Sequence, residues 1–176
     1  MRGFAAYDAI ERLPMPVIAA VQGPAAGSGL EIAAACDFII ATPQAVFWTP
    51  EALWGTVGAT QRLPRIVGKR LAKDMMFTGR KLDAAQAVDA GLVSRIVDTD
   101  RLDAELLEIA GTLVKAPPLA MRLAKRCIDR GLELDPRGAL AEELLAIDEN
   151  LAGSDWRSAI GSFATSATPS EQGVSK

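Results

Sequence analysis

The chain has no histidine among its 176 residues. That absence excludes Ser-His-Asp and Cys-His nucleophilic catalysis, together with every zinc site that needs an imidazole. Only two cysteines occur, Cys36 and Cys127, both inside helical patterns and neither at metal-ligand spacing. They read as reduced thiols of a cytoplasmic protein, with no metal site expected. No apolar run reaches the 18 residues of a membrane span, and the N-terminus lacks the pattern of a signal peptide. No long basic run occurs and the net charge is −3, so nucleic acid is not an expected partner. Acid–base chemistry is left to carboxylates, ahead of Lys, Tyr7 or Cys. Basic residues are missing altogether from Leu13 to Gly58, where the only charges are Glu31, Asp37 and Glu51.

What is present is 49% hydrophobic, ample for a packed core in one domain or two small ones. The chain is organised around residues 16–37. Val17 to Val21 is an apolar run of strand length. A turn follows with Gly23, Pro24, Gly27, Ser28 and Gly29, where glycine permits positive φ or close approach to a ligand. Leu30 to Cys36 then reads as a buried helix. A strand, a glycine turn and a helix N-terminus aim unpaired N–H groups at one spot, which suits a developing negative charge. Glu31 sits in the first turn of that helix. Two readings of it stand side by side. Carboxylates kept in a charge-poor stretch point to function. Ser28-Gly-Leu-Glu31 also fits a capping box, and on these residues alone the capping box is favoured.

Residues 4–12 read as an amphipathic helix with Phe4, Tyr7 and Ile10 on its apolar face. Pro14 and Pro16 end it. Phe38 to Ala41 and Ala45 to Trp48 are short strands, and Thr49-Pro50-Glu51 opens a helical segment. Trp54 to Ala59 is a loop over whatever Glu51 faces. From Thr60 the chain is helical and basic, with Arg62, Arg65, Lys69, Arg70 and Lys73 mostly on a solvated face and Leu71, Met75, Met76 and Phe77 as core candidates. A short helix over 83–90 ends at Gly91, and Val93 to Val97 alternates as a strand. Beyond Asp98 three helices are expected, over 102–113, 119–128 and from Pro136 to about Leu151. The organisation is therefore an α/β part over 1–98, a helical region over 99–164 and a Ser/Thr-rich disordered tail over 165–176.

Several motifs in this order resemble the crotonase superfamily, the enoyl-CoA hydratase/isomerase group. They are Pro16-Val-Ile-Ala-Ala-Val-Gln-Gly23, Ala25-Ala-Gly-Ser-Gly-Leu-Glu31, Ala35-Cys-Asp37, Phe47-Trp-Thr-Pro-Glu51, Thr60 to Gly68, Phe77-Thr-Gly79 and Ala84 to Val93. The resemblance covers about residues 4–150. It implies an α/β fold of the ClpP/crotonase type, a partial ββα core followed by C-terminal helices that drive oligomerisation. It implies an acyl-CoA thioester as substrate, with no separate cofactor, and hydration of a 2-enoyl-CoA to a 3-hydroxyacyl-CoA. Carried over by position, Ser28 supplies an oxyanion-hole N–H, Glu31 handles the water and Glu51 the C2 proton. The two carboxyls should then line one cavity beside the Ser28 N–H. Gly27, Gly29, Trp54 and Gly55 fall at the substrate site. Glu31 and Glu51 stand twenty positions apart, the spacing of hydratases in this family. The resemblance also implies a homo-oligomer, a trimer or a dimer of trimers. Apolar residues such as Leu140, Leu144, Leu145 and Ile147 fit that expectation.

Three departures accompany the match. Family members carry a long segment before the point where this chain begins, holding early strands, part of the CoA site and the other oxyanion N–H. Were this chain the whole molecule, an open edge at the first strand and turnover lower by roughly 10²–10³ would be expected. The loop Leu53 to Thr60 is a few residues shorter than usual, and Ala164-Thr-Ser replaces the basic residues that normally follow Phe163. Enoyl-CoA isomerisation, for which one carboxylate suffices, is the alternative activity. A truncated, inactive chain that only assembles is another. A dinucleotide site is disfavoured, because Ile32 stands where Gly27-Ser-Gly29 would need Gly or Ala.

Overall fold

The structure is a computed structural model that describes residues 2–153 and 156, with side chains from Ala5 onward. The chain divides into two compact units, Met1–Leu113 and Val114–Lys176. The expected tail over 165–176 and the side chain of Phe4 lie outside the described residues.

In the first unit α1 (Arg2–Glu11) buries Tyr7 and is followed by β1 (Ile18–Val21). A short strand β2 (Pro24–Ala26) leads into α2 (Ser28–Ala35), then β3 (Phe38–Ala41) and β4 (Val46–Trp48). A 3-10 turn, Glu51–Trp54, precedes α3 (Arg62–Val67) and α4 (Lys69–Thr78). Then come β5 (Leu82–Asp83), α5 (Ala84–Asp89), β6 (Arg95–Ile96) and α6 (Leu102–Lys115). Two small sheets result. One is parallel in the order β1-β3-β6, with Ile18 opposite Phe38 and Ala41 opposite Ile96. The other, in the order β2-β4-β5, pairs β2 with β4 in parallel and β4 with β5 antiparallel. Phe47, Leu30, Leu63, Met75 and Leu82 are fully buried between the sheets and the helices.

Three local features differ from the sequence expectation. Pro24 to Ala26 is a strand where a turn was expected, because β4 offers it a partner from Val46 to Trp48. Proline is tolerated as its first residue, where no ladder donor is required. The basic helical stretch is broken into α3 and α4 at Gly68, whose φ of +80° suits glycine. Phe77, a core candidate by its spacing, lies on the open side of α4 and is 63% exposed.

The second unit is built from α7 (Pro118–Gly131) and α8 (Pro136–Gly153). Proline opens both, where its missing N–H costs nothing. The four residues between them and the cross-pairs Arg122–Glu149 and Arg130–Glu142 make them antiparallel. Leu123 and Ala146 are buried in the seam. A cavity of about 740 Å³ lies along these two helices, lined by Leu123, Cys127, Leu140, Ile147 and neighbours. Among the described residues, no helix is long and apolar enough to cross a membrane.

Candidate active site

The N-terminus of α2 is set by one glycine. Gly27 adopts φ +51° and ψ −114°, a region that a side chain disfavours. Its N–H donates to the Trp48 carbonyl at 3.1 Å, tying the turn to β4. The first helical bond runs from the Glu31 N–H to the Gly27 carbonyl at 2.9 Å. The N–H groups of Ser28, Gly29 and Leu30 come before it and have no acceptor within the helix, at the positive end of the helix dipole.

The capping box favoured for Ser28 and Glu31 is not formed. Ser28 is the first helical residue, Gly27 is the N-cap, and no side chain caps this end. The Glu31 carboxylate is instead buried, 7% exposed, with Oε2 3.5 Å from Arg62 Nη1. Its counter-charge thus comes from α3, outside the stretch that lacks basic residues. Arg62 is therefore the exception among the basic residues assigned to a solvated face.

Glu51 opens the 3-10 turn with its carboxyl held on three sides. Its Oε2 accepts the hydroxyl of Thr49, a fully buried residue, at 2.7 Å. Its Oε1 faces two glycines: a β-carbon would stand 2.6 Å from it at Gly27 and 3.2 Å at Gly58. At Gly27 the carboxylate fits only because no side chain is present, and at Gly58 a β-carbon would crowd it. Glu51 therefore rests on the N-cap of the helix that carries Glu31. Four residues, about 6 Å of helix rise, separate Glu31 from that glycine.

Gly27, Ser28, Gly29 and Glu31 thus share one helix end, and Glu51 is brought to it. Gly55 ends the 3-10 turn in the left-handed conformation, while Trp54 stands out in solvent at 76% exposure. Neither Glu31 nor Glu51 lines the cavity along α7 and α8. Asp37, the third charge of the poor stretch, has a structural task, accepting the Val17 N–H at 2.6 Å where β1 begins. Thr49, Gly58 and Arg62 also belong to this arrangement and are not among the site residues expected from the sequence. Thr49 lies two residues before Glu51 in a Thr-Pro-Glu that reads as a helix start. Arg62 is the first basic residue after the gap, which is the one signal that could have found it. Among the described residues no group of three or more His, Cys, Asp or Glu could hold a metal ion.

A family profile for enoyl-CoA hydratase/isomerase matches residues 2–169. A probable mitochondrial enoyl-CoA hydratase 2 of Arabidopsis thaliana is 38% identical over 166 residues, 93% of this chain and 55% of that protein. A short-chain-enoyl-CoA hydratase of Clostridium acetobutylicum is 40% identical over 160 residues, 89% of this chain and 61% of that protein. The crystal structure of an enoyl-CoA hydratase from Bacillus anthracis superposes with a TM-score of 0.89 at 35% identity, covering 95% of this chain and 66% of that one. The chain thus spans between half and two thirds of the length of these relatives. The glycine-capped helix with its first-turn glutamate and the second glutamate folded onto it lie inside the matched region, and the chain belongs to the enoyl-CoA hydratase/isomerase family, with the crotonase fold.

Proposed function

We propose that the chain hydrates a 2-enoyl-CoA thioester to the 3-hydroxyacyl-CoA. The observation that carries this reading is the contact of Glu51 with Gly27, which brings a second carboxylate to the helix end that bears Glu31. The water oxygen bonds to C3 while Glu31 takes a proton from it. The C2=C3 electrons move onto the thioester oxygen, and the Ser28 N–H at the head of α2 stabilises the resulting enolate. The enolate collapses as Glu51 delivers a proton to C2. One proton then passes between the carboxyls and resets the site. Gly27, Gly29, Trp54 and Gly55 fall along the thioester and acyl path. Isomerisation needs one carboxylate only, so a second one buttressed by Thr49 and two glycines favours hydration.

The acyl-CoA is the substrate and no further cofactor is required. The chain assembles with itself as a trimer or a dimer of trimers, a reading supported by exposed Leu140, Leu144, Leu145 and Ile147 on α8. We place it in the cytoplasm, in line with a sequence that carries only two cysteines, Cys36 and Cys127. The test is to incubate the purified chain with 2-enoyl-CoA thioesters of increasing acyl length and follow loss of the conjugated thioester. Formation of 3-hydroxyacyl-CoA supports the reading. No loss across the panel, or migration of a 3-enoyl double bond without water addition, contradicts it.

A further inference from the structure

We propose that Arg62 is the positioning residue of this site, holding the Glu31 carboxylate by Oε2 while Glu11 holds Arg62 in turn. What Glu31 does chemically rests on the hydratase reading; the three-residue clamp does not. The Arg62 Nε and Nη2 both donate to Glu11 Oε2, at 3.1 and 2.6 Å. Its Nη1 is turned to Glu31 Oε2 at 3.5 Å, and the guanidinium lies 6.0 Å from the Tyr7 ring centroid. Side-chain exposure rises along the clamp from 7% at Glu31 through 21% at Arg62 to 48% at Glu11. The anchored end is the wet one and the steered end is dry.

The clamp follows from the charge pattern. A buried carboxylate needs a partner, and no basic residue occurs between Leu13 and Gly58. Arg62 closes that gap from α3. A guanidinium presents its donors in a fixed fork, so one edge can grip Glu11 while another faces Glu31. A lysine ammonium, a point charge on a flexible stem, supplies the charge without the fork. Separation of 3.5 Å steers Oε2 without tying it in a short hydrogen bond, and Oε1 is assigned to the water. Proton transfer needs heavy atoms about 2.6–3.2 Å apart, so a loosened carboxylate loses rate more than affinity.

The test has a kinetic arm and a stability arm. With crotonyl-CoA, Arg62→Met should lower kcat by about 10- to 100-fold, the scale of a misplaced catalytic group, with KM changed by roughly two-fold at most. R62K should recover part of kcat, and E11Q should lose less than R62M. A normal kcat in R62M, or a loss confined to KM, overturns the proposal. In thermal unfolding, R62M should lower Tm, and adding E31Q should raise it again because the unpaired buried charge is gone. Additive shifts overturn the clamp whatever the turnover. If the unaltered chain hydrates no thioester, the hydratase reading fails and the unfolding cycle alone decides the clamp. If R62M does not fold, a folded R62M/E31Q double variant supports the clamp and an unfolded one overturns it.

Discussion

Glu51 presses its carboxyl into the space where Gly27 lacks a side chain: Oε1 would stand 2.6 Å from a β-carbon there. Gly27→Ala must therefore move Glu51, whose other oxygen is tied to Thr49. It must also adopt φ +51° with a side chain present. The conformational cost is on the order of 1–3 kcal/mol, and the displaced carboxyl should lower hydration more than substrate affinity. Gly58→Ala meets Glu51 at 3.2 Å without a positive φ, so it should be the milder change. Urea unfolding and kcat for both variants check this; equal effects would contradict it.

Thr49 donates its hydroxyl to Glu51 Oε2 from a fully buried position. Thr49→Val keeps the shape and removes the donor. A hydrogen bond contributes about 0.5–1.5 kcal/mol net, so T49V should lower both stability and kcat, and T49S should restore most of the rate. A T49V variant with unchanged kcat would show that the hydroxyl does not orient Glu51.

Burial pushes the Cys127 thiol above its ordinary range, with Arg126 opposing and Glu142 and Glu143 adding to the rise. The folded state thus holds this proton more tightly than the unfolded one. Its contribution to stability is full below the unfolded thiol's pKa and is lost as pH rises through the raised value. The thiolate is the reactive species, so at pH 8 iodoacetamide should label Cys127 more slowly in the folded chain than in urea. Equal labelling rates by peptide mass spectrometry would contradict this.

Leu145 is 64% exposed on α8, which also exposes Leu140 and Leu144. Burying one leucine contributes roughly 1.5–3 kcal/mol, so Leu145→Glu should shift assembly toward smaller species in light scattering at micromolar concentration. A monomeric unaltered chain, or a variant of unchanged mass, would contradict the assembly.

The core of the fold was legible because its signals are local. The apolar run before Gly23, the small helix after Gly27 and the prolines at 118 and 136 each act within one element. Glu31 and Glu51 were singled out because a charge in an apolar stretch needs a reason. Their partners were not. Arg62 reaches Glu31 only once α3 has packed near α2, and its spacing alone resembles an exposed face. The capping-box reading failed because Gly27 takes the N-cap position from Ser28. Phe77 keeps helical spacing on α4 yet stays exposed, since periodicity defines a face without saying what covers it. The strand at 24–26 depends on β4, a partner twenty-two residues away.

In the proposed hydration, two glutamates at one helix end do the chemistry. The most direct test is the rate of crotonyl-CoA hydration by the unaltered chain, E31Q, E51Q and the double variant, purified in parallel and confirmed as folded. General acid–base catalysis contributes about 10²–10⁴ in rate. The unaltered chain should hydrate crotonyl-CoA measurably, each single variant should lose kcat by that factor, and the double variant should be little worse than the poorer single one. Hydration that persists unchanged after loss of either carboxylate would contradict this.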